Sequence, residues 1–344
     1  MAMRTEPLLN TPLSPSVPED VYFSDGQNAW ILSRHQDVLA ALKSVHLDQA
    51  GPPKSSSDRA KPIRNNVSSE AAKALSKASL ARWEGDIKGT AAELLNQLSA
   101  EHSVDLVSEF IRPWCLDSAI ALTGADPLHG KRLAFLVSRL FESDAAPHDE
   151  AAQSGGRQAN QELDRWFPPS IVPFGKSLFL GIAQTTPAFL ASAWAALLLH
   201  RSAWNALHAR SESVFVAVEE LLRYAGPVHS LFRTALKNTT ISATPIAAGD
   251  RLILRPAAAN RDPRRFEQPG LLDIERRATG HLALSAGSHY CMGASLVRSM
   301  TATATQALLA RCQEPELSDP IQWSCGTMLI WASSLRVILD GTSV

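Results

Sequence analysis

"LALSAGSHYCMGASLVR", residues 282–298, is the stretch on which the reading of this chain turns. A lone cysteine, Cys291, sits between Gly287 and Gly293, with His289 two places before it and a helix-like run after it. Glycines carry no Cβ, so a backbone that contains them approaches a neighbour or a ligand closely. A cysteine just ahead of a helix start lies where amide dipoles favour a thiolate. Taken alone, such a residue is a small buried hydrophobe. Presented on this loop, it is a candidate nucleophile or metal ligand. A nucleophile needs a base, and His289, two residues away on an extended loop, need not face the sulfur.

Composition narrows the classes. Against 34 acidic residues stand 33 basic ones, a formal charge of −1, which gives no electrostatic footprint for nucleic acid or an anionic membrane. The four cysteines, Cys115, Cys291, Cys312 and Cys325, contain no CxxC pair. That pattern argues against a disulfide scaffold and a structural zinc site, and it fits a reducing, cytoplasmic setting. Residues 1–20 are proline-rich and read as an extended N-terminal segment without the apolar block of a signal peptide. "SLFLGIAQTTPAFLASAWAALLL" (177–199) is long and apolar enough for a membrane span. Its polar centre (Gln184, Thr185, Thr186) and the lack of flanking basic loops or a companion span point instead to a buried helix of a soluble core.

Along the chain, 21–43 reads as a β-hairpin around Asp25-Gly26 followed by a helix from Gln36, and 51–69 as loop. Helical spacing runs from about Ser69 to Thr123 and resumes at "LHGKRLAFLVSRLF". "SDAAPHDEAAQSGGRQ" reads as a polar connection. After the long apolar helix come two amphipathic helices, then strand-like runs beyond Pro227, the cysteine loop, a helix over 294–311 and a terminal strand. The expectation is a mainly α chain with a minor β portion and a single domain over 1–344.

Individually, Glu220 and Arg223 in "EELLR" are an i, i+3 pair on one helix face, and "AAANRDP" (257–263) is a turn. In order, Glu220-x-x-Arg223, Arg233, "IAAGDRLILRPAAANRDP" and "HLALSAGSHYCMGA" resemble the soluble bacterial form of the cytochrome P450 superfamily. That family carries a Glu-x-x-Arg helix, a strand pair, an Asn-Arg-Asp-Pro turn and a Phe-Gly-x-Gly-x-His/Arg-x-Cys-x-Gly loop. The resemblance is firm over about 215–300 and can be followed, more weakly, to both ends of the chain. It implies a P450-like fold and a b-type haem with Cys291 as axial thiolate, which pushes electron density onto iron. It also implies that Arg233, His281 and His289 hydrogen-bond the haem propionates and that Glu220 and Arg223 form a buried structural pair. "GIAQTT" (181–186) aligns with the family's Ala-Gly-x-Glu/Asp-Thr-Thr, where the helix opens beside the oxygen site. Thr185 there keeps the relay alcohol.

Departures from the family pattern cluster on function. Gln184 replaces the relay acid, and Ile182 replaces a glycine, with a side chain that would crowd the oxygen groove. Leu284 and Ser285 replace Phe and Gly in the cysteine loop. The meander arginine that completes the Glu–Arg–Arg network falls at Leu271, with Arg264 or Arg265 as substitutes. The His-x-x-x-Arg that grips a propionate falls at Ser68 and Ala72, beside Lys73. The regions shortened relative to the family, before residue 75 and between 125 and 178, usually form its substrate lid. The resemblance thus implies an oxidoreductase using O₂ or peroxide on a small or carrier-bound metabolite, in secondary metabolism. Electrons would come from a ferredoxin or flavodoxin. Gln184 favours outcomes such as desaturation, coupling or ring formation beside monooxygenation. The alternative is a non-catalytic haem-binding or interaction protein that retains the fold.

Overall fold

A computed structural model describes residues 19–50, 77–99, 102–167 and 174–339. The expected N-terminal segment (but for its last two residues) and the Ser68, Ala72 and Lys73 positions lie outside them. Helices take up more than half of the described residues, with strands in smaller sheets, which bears out the mainly α expectation.

The N-terminal part pairs β1 (Tyr22–Ser24) with β2 (Ala29–Leu32) through the expected tight turn, then enters α1 (His35–Lys43). β3 (Leu47–Ala50), β5 (Leu231–Ala235) and β8 (Arg251–Leu254) complete a five-stranded sheet in the order β1-β2-β8-β5-β3. Only the β2–β8 pairing is parallel; the others are antiparallel. β5 is an interior strand, which places Arg233 opposite Leu252 on one side and Gln49 on the other. Three smaller sheets use β4 (Val104–Asp105), β6 (Thr239–Ile241), β7 (Thr244–Ile246), β9 (Glu316–Leu317), β10 (Gln322–Cys325), β11 (Ile330–Ser334) and β12 (Arg336–Ile338).

The helical part comprises α2 (Lys77–Gln97), α3 (Arg112–Thr123), α4 (Gly130–Ala145), α5 (Glu150–Leu163), α6 (Phe174–Leu180), α7 (Thr186–Leu199), α8 (Arg201–Ala209), α9 (Val214–Ala225), α10 (Pro256–Ala259) and α11 (Ala294–Arg311). The segment expected to be a polar connection instead contains α5. Asp149 caps it by accepting the Ala151 and Ala152 amides at 2.9 and 3.1 Å. Gly156 lets it pack closely on α4: a Cβ there would lie 2.4 Å from the Ser143 Cβ. The polar composition reflects an exposed face, not an absence of helix.

The apolar stretch is the centre of the core. The rod Gly175–Leu199 has the length and composition of a membrane span, yet 83% of its most apolar window is buried inside the fold. Two of its polar groups find partners on neighbouring elements. Trp194 donates to Thr305 Oγ1 at 3.0 Å, and Ser192 Oγ accepts the Ala332 amide at 3.2 Å while donating to the Ala188 carbonyl. A helix apolar on every side is satisfied by neighbours on every side.

Candidate active site around Cys291

The helix α9 carries the framework. Glu220 and Arg223 are both fully buried and form a two-pronged pair at 2.7 Å, from Arg223 Nε to Oε2 and from Nη2 to Oε1. Arg223 spends its remaining donors on the carbonyls of Asn260, Pro269 and Leu271. Leu271 therefore contributes its backbone, and the third member of the network is Arg276, whose Nε lies 3.2 Å from Glu220 Oε1. This corrects the expectation that Arg264 or Arg265 would substitute: Arg265 donates to the Thr279 carbonyl, and the Arg264 amide bonds Asp262. The error was one of register in an irregular segment, where spacing carries no periodic signal.

Each residue of the Asn-Arg-Asp turn ties down a different neighbour. Asn260 Oδ1 accepts the Leu282 amide at 2.7 Å, at the entrance to the cysteine loop. Arg261 donates to the Tyr224 carbonyl and lies 3.8 Å over that ring, fixing the end of α9. Asp262 accepts the His35 amide at 2.9 Å, at the start of α1. Three side chains thereby lock the loop to two helices.

The loop needs unusual backbone. Ser285 adopts φ +62° and Gly287 φ +65°, the left-handed region that side chains disfavour. Where the family pattern has glycine at 285, the serine here bears the strain. Gly287 has a second requirement, since a Cβ would sit 2.9 Å from the Leu42 carbonyl oxygen on α1. The Cys291 amide then closes on the Leu284 carbonyl at 2.9 Å, and the chain enters α11. Burial pushes the Cys291 thiol up, opposed by the Gly293 amide and by the positive charge of Arg298. The expected helix-start stabilisation of a thiolate is present, but burial outweighs it. A nucleophile requires the reverse balance. A ligand does not, because a bound cation ionises the thiol outright.

Arg233 is 3% exposed, and its Nε has no hydrogen-bond partner, although Nη1 donates to the Phe232 carbonyl at 2.8 Å. His289 lies within its field: burial and then the Arg233 charge hold the imidazole below its ordinary value. A buried guanidinium with an orphan donor beside a second donor ring is a place for an anionic group. Ser285 Oγ is a second buried atom without a partner. His281 is placed otherwise. Its Nε2 meets Glu219 Oε2 at 3.2 Å and its Nδ1 accepts the Ala283 amide, so both ring nitrogens are used within the protein.

On the long rod, Gly181–Thr185 forms a π turn between α6 and α7. Pro187 explains it, since a proline cannot donate to the carbonyl four residues back and its ring clashes there. Thr186 donates from both amide and Oγ1 to the Gly181 carbonyl, the latter at 2.8 Å. Gln184 and Thr185 are half-buried, and neither side chain has a hydrogen-bond partner among the described residues. Ile182 and Ala183 belong to the same apolar cluster against which Cys291 packs, so one core joins the π turn to the cysteine loop.

Known proteins agree with this assembly. The family model for cytochrome P450 matches residues 215–333. Polyketide biosynthesis cytochrome P450 PksS of Bacillus subtilis (strain 168) is 25% identical over 371 aligned positions, covering 91% of this chain and 89% of that protein. Cytochrome P450 monooxygenase PikC of Streptomyces venezuelae is 35% identical over 180 residues, covering 52% of this chain and 43% of PikC. Among solved structures, CYP109B1 from Bacillus subtilis superposes with a TM-score of 0.79 at 21% identity, over 92% of this chain and 95% of that one. The structure of PksS gives 0.78 at 23% identity, over 94% of each chain. Residues 215–333 carry the cytochrome P450 family match, and the chain as a whole has the P450 fold. Its class is that of a P450 oxidoreductase, and the family implies haem held by a cysteine thiolate.

Proposed function

We propose that the chain, as a single domain in the cytoplasm, binds haem b through Cys291 and oxidises a small or carrier-bound metabolite in secondary metabolism. The observation that carries this reading is a pair of complementary features. A half-buried cysteine sits on a glycine-shaped loop, and a buried Arg233 with an orphan donor stands beside His289. Those residues fit one ligand that is both a metal and a carboxylate. Cys291 would hold the iron, Arg233 and His289 the propionates, and Gly287 and Gly293 would leave the backbone room for close approach. His281 stays outside this set. Bound haem supplies the activation of O₂ or peroxide. With O₂, the electrons come from a ferredoxin or flavodoxin-type donor.

The chain's own contribution lies at the π turn. Thr185 Oγ1 orders a water and relays a proton to it, taking up another from solvent in the same exchange, and Gln184 fixes that water by hydrogen bonds. A glutamine amide does not titrate at ordinary pH, so it orients without supplying the proton. Proton delivery then depends on Thr185 and on polar groups of the substrate, which favours desaturation, coupling or ring formation alongside hydroxylation. The names of PksS and PikC, a polyketide-biosynthesis P450 and a monooxygenase, support an oxidation in secondary metabolism.

Turnover with hydrogen peroxide or a surrogate ferredoxin–reductase pair, across a panel of metabolites, tests the proposal. Product that depends on Cys291, with a smaller fraction of electrons reaching product in Thr185→Ala and Gln184→Ala, is the expected result. Unchanged coupling in both variants removes the relay assignment. A haem-loaded protein without product under any condition leaves a non-catalytic haem-binding protein.

A further inference from the structure

Glu219, next to the buried Glu220, faces a different partner set. Its carboxylate receives Arg298 Nε at Oε1 and Arg298 Nη2 at Oε2, the latter at 3.0 Å, and it meets His281 Nε2 at 3.2 Å. Arg298 also donates from Nη1 to the Ala294 carbonyl and to the Tyr290 hydroxyl, both at 3.2 Å. The guanidinium therefore folds back along α11 toward its N-terminus, the direction helical side chains favour. That brings its charge against the cysteine loop, with one contact on the residue preceding Cys291. Arg298 and Glu219 are each about a third exposed, so their charges are only partly screened by water.

Two neighbouring carboxylates on α9 thus divide the surroundings of the loop. Glu220 holds Arg223 and Arg276 on the meander side, and Glu219 holds Arg298 and His281 on the cysteine side. Arg298 reaches the loop through the Tyr290 hydroxyl, on the residue bonded to Cys291, and through the Ala294 carbonyl three residues beyond it, so its contacts flank the cysteine in the chain. The carboxylate of Glu219, held down to about 2 chiefly by its hydrogen bond from His281 and also by Arg298, stays ionised as the compensating anion.

We propose that Arg298 is a positioning residue that sets the electron affinity of the Cys291-ligated centre, and that Glu219 limits how strongly it does so. The inference rests on the assignment of Cys291 as haem ligand. A cation beside the sulfur lowers the energy of an added electron and raises the reduction potential; a compensating anion opposes it. Because the two partners carry opposite charges, their removal has opposite effects on the centre. A merely structural clamp behaves differently, since loosening it from either side disturbs the loop in the same way.

The test is the ferric/ferrous midpoint potential of haem-loaded protein, measured by spectroelectrochemistry for the wild type, Glu219→Gln, Arg298→Gln, the double variant and Arg298→Lys. Glu219→Gln keeps hydrogen-bonding capacity and is expected to shift the potential upward. Arg298→Gln shifts it downward, the double variant falls between them, and Arg298→Lys stays close to the wild type. Shifts of the same sign in both single variants, or none, overturn the proposal, provided the reduced carbon monoxide complex keeps its strongly red-shifted Soret band. Absence of that band from the wild type overturns the ligand assignment instead. Should Arg298→Gln fail to fold, Glu219→Gln against Arg298→Lys still decides, because only the former changes the charge.

Discussion

Glu220 and Arg223 show what a residue-level pattern conveys and what it leaves out. Their i, i+3 spacing identified a pair, but a surface pair with this spacing is worth little. Here both side chains have no solvent exposure, and the pair holds three meander carbonyls and Arg276. Glu220→Ala would strand two guanidinium groups, one of them fully buried, and is expected to destabilise the protein by roughly 3–5 kcal/mol. Chemical denaturation of the variant checks this, and a loss below about 1 kcal/mol contradicts it. Arg276 escaped a reading by alignment because the meander has no periodicity. Glu219 escaped because the adjacent Glu220 already accounted for the motif. In both cases the partner comes from a distant segment, so only tertiary structure assigns it.

At the scale of elements, long periodic helices and the hairpin were legible because apolar spacing and turn residues act locally. α5 was not, since its polar face hid a helix that depends on Asp149 for its start and on Gly156 for its approach to α4. The π turn was legible only as an alignment to "GIAQTT", although Pro187 supplies a physical cause. One link between elements has no sequence signature. Asp144, on α4, accepts the amides of Met328 and Leu329 at 3.1 and 3.2 Å, and its own carbonyl accepts that of Thr327. The other side of the same tip pairs with the segment before β5, through His229 and Ser230 amides on the Met328 carbonyl. Asp144 is therefore a strap between α4 and the tip joining β10 to β11. Asp144→Asn replaces one carboxylate oxygen with a donor that these amides cannot use. Its expected cost is about 1–2 kcal/mol of local stability. Hydrogen exchange at Met328 and Leu329 should accelerate; unchanged protection there means that the strap does not hold the tip.

Across the whole molecule, the fold places its chemistry where a rigid core meets a strained loop. α7 is buried on all sides, α9 carries two carboxylates toward two different neighbours, and the Asn260–Asp262 turn ties α1, α9 and the loop together. The identity of the family was legible in the ordered series of short motifs, none of which is specific alone. The chemistry proposed at the π turn and the loop rests on this chain's own side chains, with Gln184, Ile182 and Ser285 in place of the family's residues. The proposed function depends on a sulfur–iron bond at Cys291. The most direct measurement is the absorbance spectrum of the reduced, carbon monoxide-treated protein, compared with Cys291→Ser prepared the same way. A strongly red-shifted Soret band in the wild type, lost in the serine variant, is the predicted result. An ordinary band in both, or identical pigment and spectra, contradicts the account.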